Sequence, residues 1–184
     1  LPKPGEKLLL LNEQTVTPSP DTALIADDEK PLAMAGIMGG EHSGINDSTR
    51  DLFLESAFFP PAAIAGKARA LGFSSDASHR YERGVDFELQ RTAIERATQL
   101  ILDTCGGQPG PVVETVAADH LPQRCPVRLR SARAARVLGI TLPEARIEAM
   151  LRGLGLQVEK TSDGFSVTPP SFRFDIEIEE DLIE

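Results

Sequence analysis

Glu55 is the residue whose type and setting most indicate chemistry, because it is the one carboxylate within the apolar stretch LFLESAFF, residues 52–59. An ionised carboxylate held among aromatic side chains without partners either destabilises the fold or has its pKa shifted. The sequence therefore predicts that the fold supplies hydrogen-bond donors to Glu55.

Other groups of reactive side chains have spacings that argue against catalysis. The segment DASHR, residues 76–80, contains Asp, Ser and His, but three residues within four positions rarely converge as nucleophile, base and orienting acid. A loop tied down by its own polar side chains is the favoured interpretation. The three histidines and two cysteines also lack zinc-ligand spacing. No catalytic side chain is identified.

The glycine-rich segment GIMGGEHSG, residues 36–44, ends in neither G-K-[ST] nor the GxGxxG of a strand-to-helix turn. Its glycines permit close backbone approach to a ligand or to a neighbouring strand. Composition favours the neighbouring strand.

Basic residues are concentrated in residues 124–152, which carry seven arginines or lysines and two acids. Arginines there could contact phosphates in a helix-turn-helix-like arrangement, or they could form a solvated face, which is the commoner situation. Four arginines belong to this group: Arg128, Arg130, Arg133 and Arg136.

Residues 175–184 carry six acids and no base. If a helix begins soon after Asp175, then Asp181 and Glu184 lie three apart on one face. Clustered carboxylates repel unless a cation or a basic partner neutralises them, and oxygen ligands suit Mg²⁺. The alternative, favoured by the residues alone, is acids placed near a helix N-terminus by its dipole.

Composition limits the class of protein. The chain has 184 residues, is 41% apolar and carries a net charge of −9, which argues against a surface that binds nucleic acid throughout. No apolar run approaches the ~18 residues of a membrane span, so we expect a cytosolic protein with no membrane contact. Cys105 and Cys125 are expected to be free thiols.

The sequence of residues 1–118 predicts an α+β fold. Strands are predicted in EKLLLLN, TALIADD, PLAMAGIMGG, DLFLESAFF and PVVETVA, and helices over residues 60–72 and 86–105. FSSDASHRYERG is predicted to be a loop. Strand alternation would place Glu55 on one face with Phe53, Ala57 and Phe59.

A second module follows a polar, proline-containing linker. VRLRS predicts a strand with its arginines on one face, SARAARVLG a helix, and Thr141 with Glu144 a capping box that opens the next helix. LQVEK and FSVTP predict a hairpin. The order helix, helix, hairpin indicates a small winged-helix-like domain of about 60 residues.

Four longer segments resemble one known family: AGIMGGEHSGIND, FLESAFFPP, SSDASHRYERGVD and SFRFDIEIEEDLIE. In this order and spacing they are similar to the beta subunit of bacterial phenylalanyl-tRNA synthetase over nearly the whole chain. The resemblance implies a B3/B4 editing region over residues 1–118 without its N-terminal portion, a linker over 119–126, and a B5 domain over 127–184 without the end of its C-terminal helix. The fold class expected is thus a mixed α+β domain followed by a winged-helix-like domain.

The resemblance also implies an activity and partners. The family's beta subunit pairs with a catalytic alpha subunit as α2β2, and the enzyme attaches phenylalanine to tRNA(Phe) with ATP and Mg²⁺. ATP is used by the whole enzyme and is not expected to bind this segment. The B3/B4 region is implied to hydrolyse tyrosine wrongly attached to that tRNA, by a positioned water. The alternative is a non-catalytic RNA-binding or subunit-scaffold module.

The resemblance also implies site residues, at the positions of this sequence that match the family's motifs. Glu55 is implied to receive the tyrosine hydroxyl, and Gly39, Ser75 and Ala77 to shape the same pocket, with Ser75 standing where the family is expected to have threonine. A second implied site is Mg²⁺, shared with the alpha subunit, at Asp175, Asp181 and Glu184.

Overall fold

All residues from Leu1 to Glu184 are described by the computed structural model, which divides into two units. The first unit contains Leu1–Val85 and Gln90–Gln99, and the second contains Asp86–Leu89 and Leu100–Glu184. The mixture of helices and small sheets confirms the predicted α+β class.

Five short strands form two antiparallel sheets in the first unit. One sheet pairs β1 with β2, and the other has the order β3-β4-β5. The strands are β1 (Leu8–Leu9), β2 (Thr15–Val16), β3 (Leu24–Ala26), β4 (Pro31–Met34) and β5 (Met38–Gly39). The strands predicted in EKLLLLN, TALIADD and PLAMAGIMGG are therefore present, although the last segment turns back on itself to form two strands.

Four helices follow in the chain, and their bounds differ from the predicted ones. They are α1 (Pro61–Ile64), α2 (Lys67–Ala70), α3 (Asp76–Tyr81) and α4 (Gln90–Cys105). The single helix predicted over residues 60–72 is broken because Gly66 adopts a left-handed conformation with φ 76°. Helix α4 begins at Gln90, four residues later than predicted, and ends at Cys105 as predicted, with Gly106 as its C-cap.

Helix α3 replaces the loop that the sequence predicted. Ser75 caps it: the Ser78 amide donates to Ser75 Oγ at 3.0 Å, and the Ser75 amide donates to Ser78 Oγ at 3.0 Å. This reciprocal pair satisfies two amides that have no acceptor within the helix. The polar residues that indicated a loop therefore start a helix.

The strand predicted in DLFLESAFF is wrong. Residues 51–60 are extended but pair with no strand, and Phe53 is 98% exposed while Phe59 packs against the core of the first unit. The predicted face shared by Phe53, Glu55, Ala57 and Phe59 is therefore absent. PVVETVA is likewise no strand. Aromatic and β-branched composition favours strands only where a neighbouring strand accepts the backbone hydrogen bonds.

The first unit's core lies between its sheets and its short helices. Leu10, Met34, Ile37 and Ile64 are each at most 2% exposed. Phe59 and Tyr81 pack against this cluster from its edge. The packing places the extended segment and α3 beside the turn between β4 and β5.

The second unit has the topology of a winged helix, as predicted. Two helices precede a hairpin, and the strand before the helices joins the hairpin in the antiparallel order β6-β8-β7. The elements are β6 (Val127–Arg130), α5 (Ser131–Leu138), α6 (Glu144–Gly153), β7 (Gln157–Lys160) and β8 (Gly164–Thr168). Leu129, Phe165 and Val167 lie at the centre of its core.

The capping box predicted at Thr141 and Glu144 is wrong. Pro143 is the N-cap of α6, and no side chain caps the helix. Glu144 instead accepts from Lys160 Nζ at 2.7 Å, and this contact lowers the pKa of the Glu144 carboxyl. The glutamate is therefore paired with a lysine of β7 and does not cap its own helix.

Two further predictions concern simple properties. Cys105 and Cys125 are free and exposed, as expected. None of the helices combines the length and apolar character required to span a bilayer.

Candidate functional site

Glu55 lies in the extended segment and has no hydrogen bond or ion pair to the protein. The donors predicted from the sequence are therefore absent. The residue as a whole is exposed, yet protein atoms around the carboxylate remove enough water to raise its pKa. Because water still screens the exposed part, the fold tolerates the acid without a partner.

Tyr81, the last residue of α3, is an aromatic residue whose phenol is affected by the charge of Glu55. Its hydroxyl donates to the Ala57 carbonyl at 2.9 Å, and its ring centroid lies 5.5 Å from that of Phe59. Desolvation, followed by the negative charge of Glu55, raises the pKa of the Tyr81 phenol. The carboxylate is therefore close enough to the phenol for its charge to disfavour ionisation of Tyr81.

Ser75 is already engaged by the protein. Its hydroxyl donates to the Ile37 carbonyl and accepts from the Ser78 amide. Ser75 thus joins α3 to the turn between β4 and β5 while it caps the helix. The predicted contact of Ser75 with a substrate would have to use its remaining lone pair or its Cβ.

Ala77 is half-buried and lies one helical turn before Tyr81. Residues four apart in a helix share a face, so Ala77 and Tyr81 lie on the same side of α3. This places Ala77 on the helix face that bears the neighbour of Glu55.

Gly39 lies in β5, opposite Ala33, and its carbonyl accepts from the Leu11 amide at 3.1 Å. A Cβ at Gly39 would stand 3.1 Å from Leu11 Cδ1. The missing side chain therefore makes room for Leu11, and Gly39 follows Ile37, the acceptor of the Ser75 hydroxyl, by two residues. This agrees with the sequence reading of close approach to a neighbouring strand.

Two hydrogen bonds connect the elements that carry these residues. The Tyr81–Ala57 bond joins α3 to the extended segment, and the Ser75–Ile37 bond joins α3 to the β4–β5 turn. Sequence reasoning missed Tyr81. Its four-residue spacing from Ala77 could have revealed it only if the DASHR segment had been read as a helix.

The acids near the end of the second unit are held by the protein. Asp175 accepts from Arg173 Nε at 3.0 Å and Nη2 at 2.9 Å, which lowers the pKa of Asp175. Asp181 Oδ2 accepts from the Glu177 and Ile178 amides, both at 2.9 Å, and these bonds lower the pKa of Asp181.

Between Asp175 and Glu184 the only helical element is one 3₁₀ turn, Glu180–Leu182. The Glu184 amide donates to the Glu180 carbonyl at 3.1 Å. No three His, Cys, Asp or Glu side chains anywhere in the chain are grouped so that they could hold a metal ion. The residues present therefore do not form a complete Mg²⁺ site by themselves.

Three of the four arginines singled out in the sequence are paired. Arg130 donates to Glu179 through its amide at 2.8 Å and through its guanidinium, and Arg133 Nη2 donates to Glu180 at 2.7 Å. Arg128 pairs with Asp163. The guanidinium of Arg130 lowers the pKa of Glu179. Much of the predicted basic surface is neutralised within the unit.

Comparison with protein families agrees with both units. Residues 1–106 match the B3/4 domain, and residues 127–184 match the tRNA synthetase B5 domain. The α+β unit, the winged-helix-like unit and these two matches define a tRNA synthetase chain with a B3/4 domain followed by a B5 domain.

Similar proteins narrow this class. Proteins named phenylalanine–tRNA ligase beta subunit are 68% identical in Aromatoleum aromaticum, 65% in Dechloromonas aromatica and 63% in Chromobacterium violaceum, over 98–100% of this chain. The chain belongs to the phenylalanyl-tRNA synthetase beta-subunit family, which is a family of aminoacyl-tRNA synthetase subunits. It spans about 23% of the length of these relatives.

Proposed function

We propose that the first unit removes tyrosine from wrongly charged tRNA(Phe), as the editing site of a phenylalanine–tRNA ligase beta subunit. The observation that carries this proposal is the Glu55 carboxylate, which is partly desolvated, has no partner, and lies near enough to the Tyr81 phenol to raise its pKa. An acceptor left in this state is suited to a ligand that brings its own donor.

The hydroxyl of a tyrosyl ester is such a donor. It would donate to Glu55, whereas a phenylalanyl ester would cover the carboxylate and leave it unpaired. Sites that hydrogen-bond a substrate hydroxyl discriminate against the analogue without it by about 10⁴ to 10⁵. Glu55 would therefore select the ester that is hydrolysed.

Glu55 is not proposed as the attacking group. Water would add to the ester carbonyl, and the ribose oxygen would leave and take up a proton, which releases free tyrosine and tRNA. Backbone amides are the proposed donors to the oxyanion. Gly39, Ser75 and Ala77 would shape the pocket, with Ser75 acting mainly through its hold on Ile37.

A direct test uses the assembled enzyme and two charged tRNAs. Glu55→Gln in the full-length beta subunit should slow hydrolysis of Tyr-tRNA(Phe) by roughly 10- to 100-fold, since a hydrogen bond to a charged group contributes about 1.5–3 kcal/mol. Phe-tRNA(Phe) hydrolysis should stay low. Glu114→Gln, a change at an exposed acid in the second unit, is the matched control. Unchanged Tyr-tRNA(Phe) hydrolysis by the Glu55 variant would contradict the proposal.

The remaining parts of the assignment concern the whole enzyme. We propose an α2β2 assembly in the cytoplasm, in which the alpha subunit attaches phenylalanine with ATP and Mg²⁺. Asp175, Asp181 and Glu184 would contribute to Mg²⁺ binding only together with ligands from elsewhere, because Mg²⁺ requires near-octahedral oxygen ligands and these acids form no such group. Chelation should therefore weaken alpha–beta association without unfolding this chain.

For the second unit we propose a scaffold role in preference to RNA binding. The pairing of Arg128, Arg130 and Arg133 with acids supports this choice. Arg128→Ala combined with Arg136→Ala should leave the affinity of the assembled enzyme for tRNA(Phe) and its salt dependence unchanged in a binding titration. Weaker binding with a shallower salt slope would indicate phosphate contacts and favour the RNA-binding alternative.

A further inference from the structure

The position of Glu55 needs an explanation, because its segment belongs to no sheet. Residues 51–60 have no strand partner that would fix the backbone. The Tyr81 hydroxyl reaches the Ala57 carbonyl at 2.9 Å, two residues after Glu55. The rings of Phe59 and Tyr81, 5.5 Å apart and inclined by 53°, add a second contact between the same two elements. Tyr81 therefore holds the segment on the C-terminal side of Glu55.

Tyr81 is itself held firmly. It lies on α3, whose first turn is fixed by the Ser75–Ser78 pair and tied to the Ile37 carbonyl. Its ring lies against Gly36, where an added Cβ would stand 3.2 Å from Tyr81 Cγ. The phenol is thus supported from the core side and points its oxygen at the extended segment.

The hydroxyl of tyrosine has a single proton to donate. In this structure that proton goes to the Ala57 carbonyl, so it is not available to the neighbouring carboxylate. The closest phenol of the protein therefore does not satisfy Glu55. The phenol of a tyrosyl substrate could therefore donate to the Glu55 carboxylate, which accepts no hydrogen bond from the protein.

We propose that Tyr81 is a positioning residue for tyrosine recognition. Its hydroxyl donates to the Ala57 carbonyl, and this bond holds Glu55 toward the ligand. Because the hydroxyl proton is used in this bond, Glu55 stays unpaired. This inference rests on the proposed function of Glu55. It assigns a role to a residue that would otherwise count as part of the core edge.

Tyr81→Phe in the assembled enzyme isolates the hydroxyl, because the ring and its contact with Phe59 are kept. We expect hydrolysis of Tyr-tRNA(Phe) to fall by roughly 2- to 10-fold, the value of one neutral hydrogen bond. Selectivity over Phe-tRNA(Phe) should fall by the same factor. Thermal unfolding should show that Tyr81→Phe and Glu55→Gln are both folded at the assay temperature.

A double-mutant cycle separates positioning from general structure. If Tyr81 acts through Glu55, then Tyr81→Phe should have no further effect on hydrolysis once Glu55→Gln is present. The pH profile gives a second readout: release of the segment lets water reach the carboxylate, so the acidic limb of Tyr-tRNA(Phe) hydrolysis should move to lower pH in Tyr81→Phe.

The two proposals fail in different ways. If Glu55→Gln hydrolyses Tyr-tRNA(Phe) as the unaltered enzyme does, the proposed function is wrong. If Glu55→Gln is impaired while Tyr81→Phe is unimpaired, or while the two effects multiply without coupling, Tyr81 does not position Glu55 and only this inference is overturned.

Discussion

At Glu55 a partly desolvated carboxylate is kept near the Tyr81 phenol without any donor from the protein. The arrangement is unfavourable for folding and would suit the proposed recognition of tyrosine, because a satisfied carboxylate would have to give up a bond before it accepted another. Composition alone pointed to this residue. It did not predict the absence of donors, because that depends on where the Tyr81 hydroxyl points.

The cost of Glu55 should appear as a pH-dependent stability. Burial raises its pKa in the folded state, so its contribution is most favourable below the unfolded value of about 4.3 and is lost as pH rises through the folded value. Glu55→Gln should therefore unfold at a higher urea concentration than the unaltered chain at pH 7, and the difference should shrink toward pH 4. A variant that is less stable at pH 7 would mean that the carboxylate has a stabilising partner.

Among the elements, α3 and the extended segment show where sequence reasoning succeeds and fails. Periodicity found α5, α6 and the β7–β8 hairpin because each buries residues or pairs with its neighbour. It also found α4, although no residue of that helix is fully buried. It missed α3, since Ser75 and Ser78 cap each other where glutamate or glutamine usually completes the box. It predicted a strand at residues 51–59 because composition cannot show whether another strand lies alongside.

The pairing of β6 with β8 in the second unit depends on close backbone contact at Gly164. A Cβ there would stand 2.0 Å from the Leu129 carbonyl oxygen, so strands β6 and β8 could not keep their register. Gly164→Ala should lower the free energy of unfolding by more than about 2 kcal/mol, as expected when a substitution forces backbone apart. Gly110→Ala, where an added Cβ would meet nothing within 4 Å, is the control for urea denaturation. Equal stability of the two variants would contradict the predicted clash.

Across the whole molecule, basic and acidic residues are concentrated in different parts of the sequence, and some of them form ion pairs within the second unit. The basic residues 124–152 and the acidic residues 175–184 are far apart in sequence, yet Arg130 and Arg133 contact Glu179 and Glu180. The counts of acids and bases could be read from the sequence. Their pairing could not, since it requires β6, α5 and the last segment to meet.

This pairing should make the second unit sensitive to acid. Arg130 lowers the folded pKa of Glu179, so the contribution to stability is present above the unfolded pKa and is lost as pH falls through the folded value. Glu179→Gln should therefore unfold at a lower temperature than the unaltered chain at pH 7, and the two should converge in strong acid. Glu177→Gln, an exposed change in the same segment, should behave as the unaltered chain does. Parallel curves for Glu179→Gln and the unaltered chain at all pH values would exclude a linked ion pair.

The phenol that anchors the Glu55 segment is also the chain's only tyrosine, and the chain has no tryptophan. At wavelengths longer than those that its eight phenylalanines absorb, the chain's absorbance and fluorescence therefore come from one ring, located at the candidate site. Ligands without an absorbing phenol can be followed by the emission of this ring, without a label and without emission from a second tyrosine or a tryptophan of this chain. Tyr81 is therefore an intrinsic fluorophore that reports ligand binding at the candidate site.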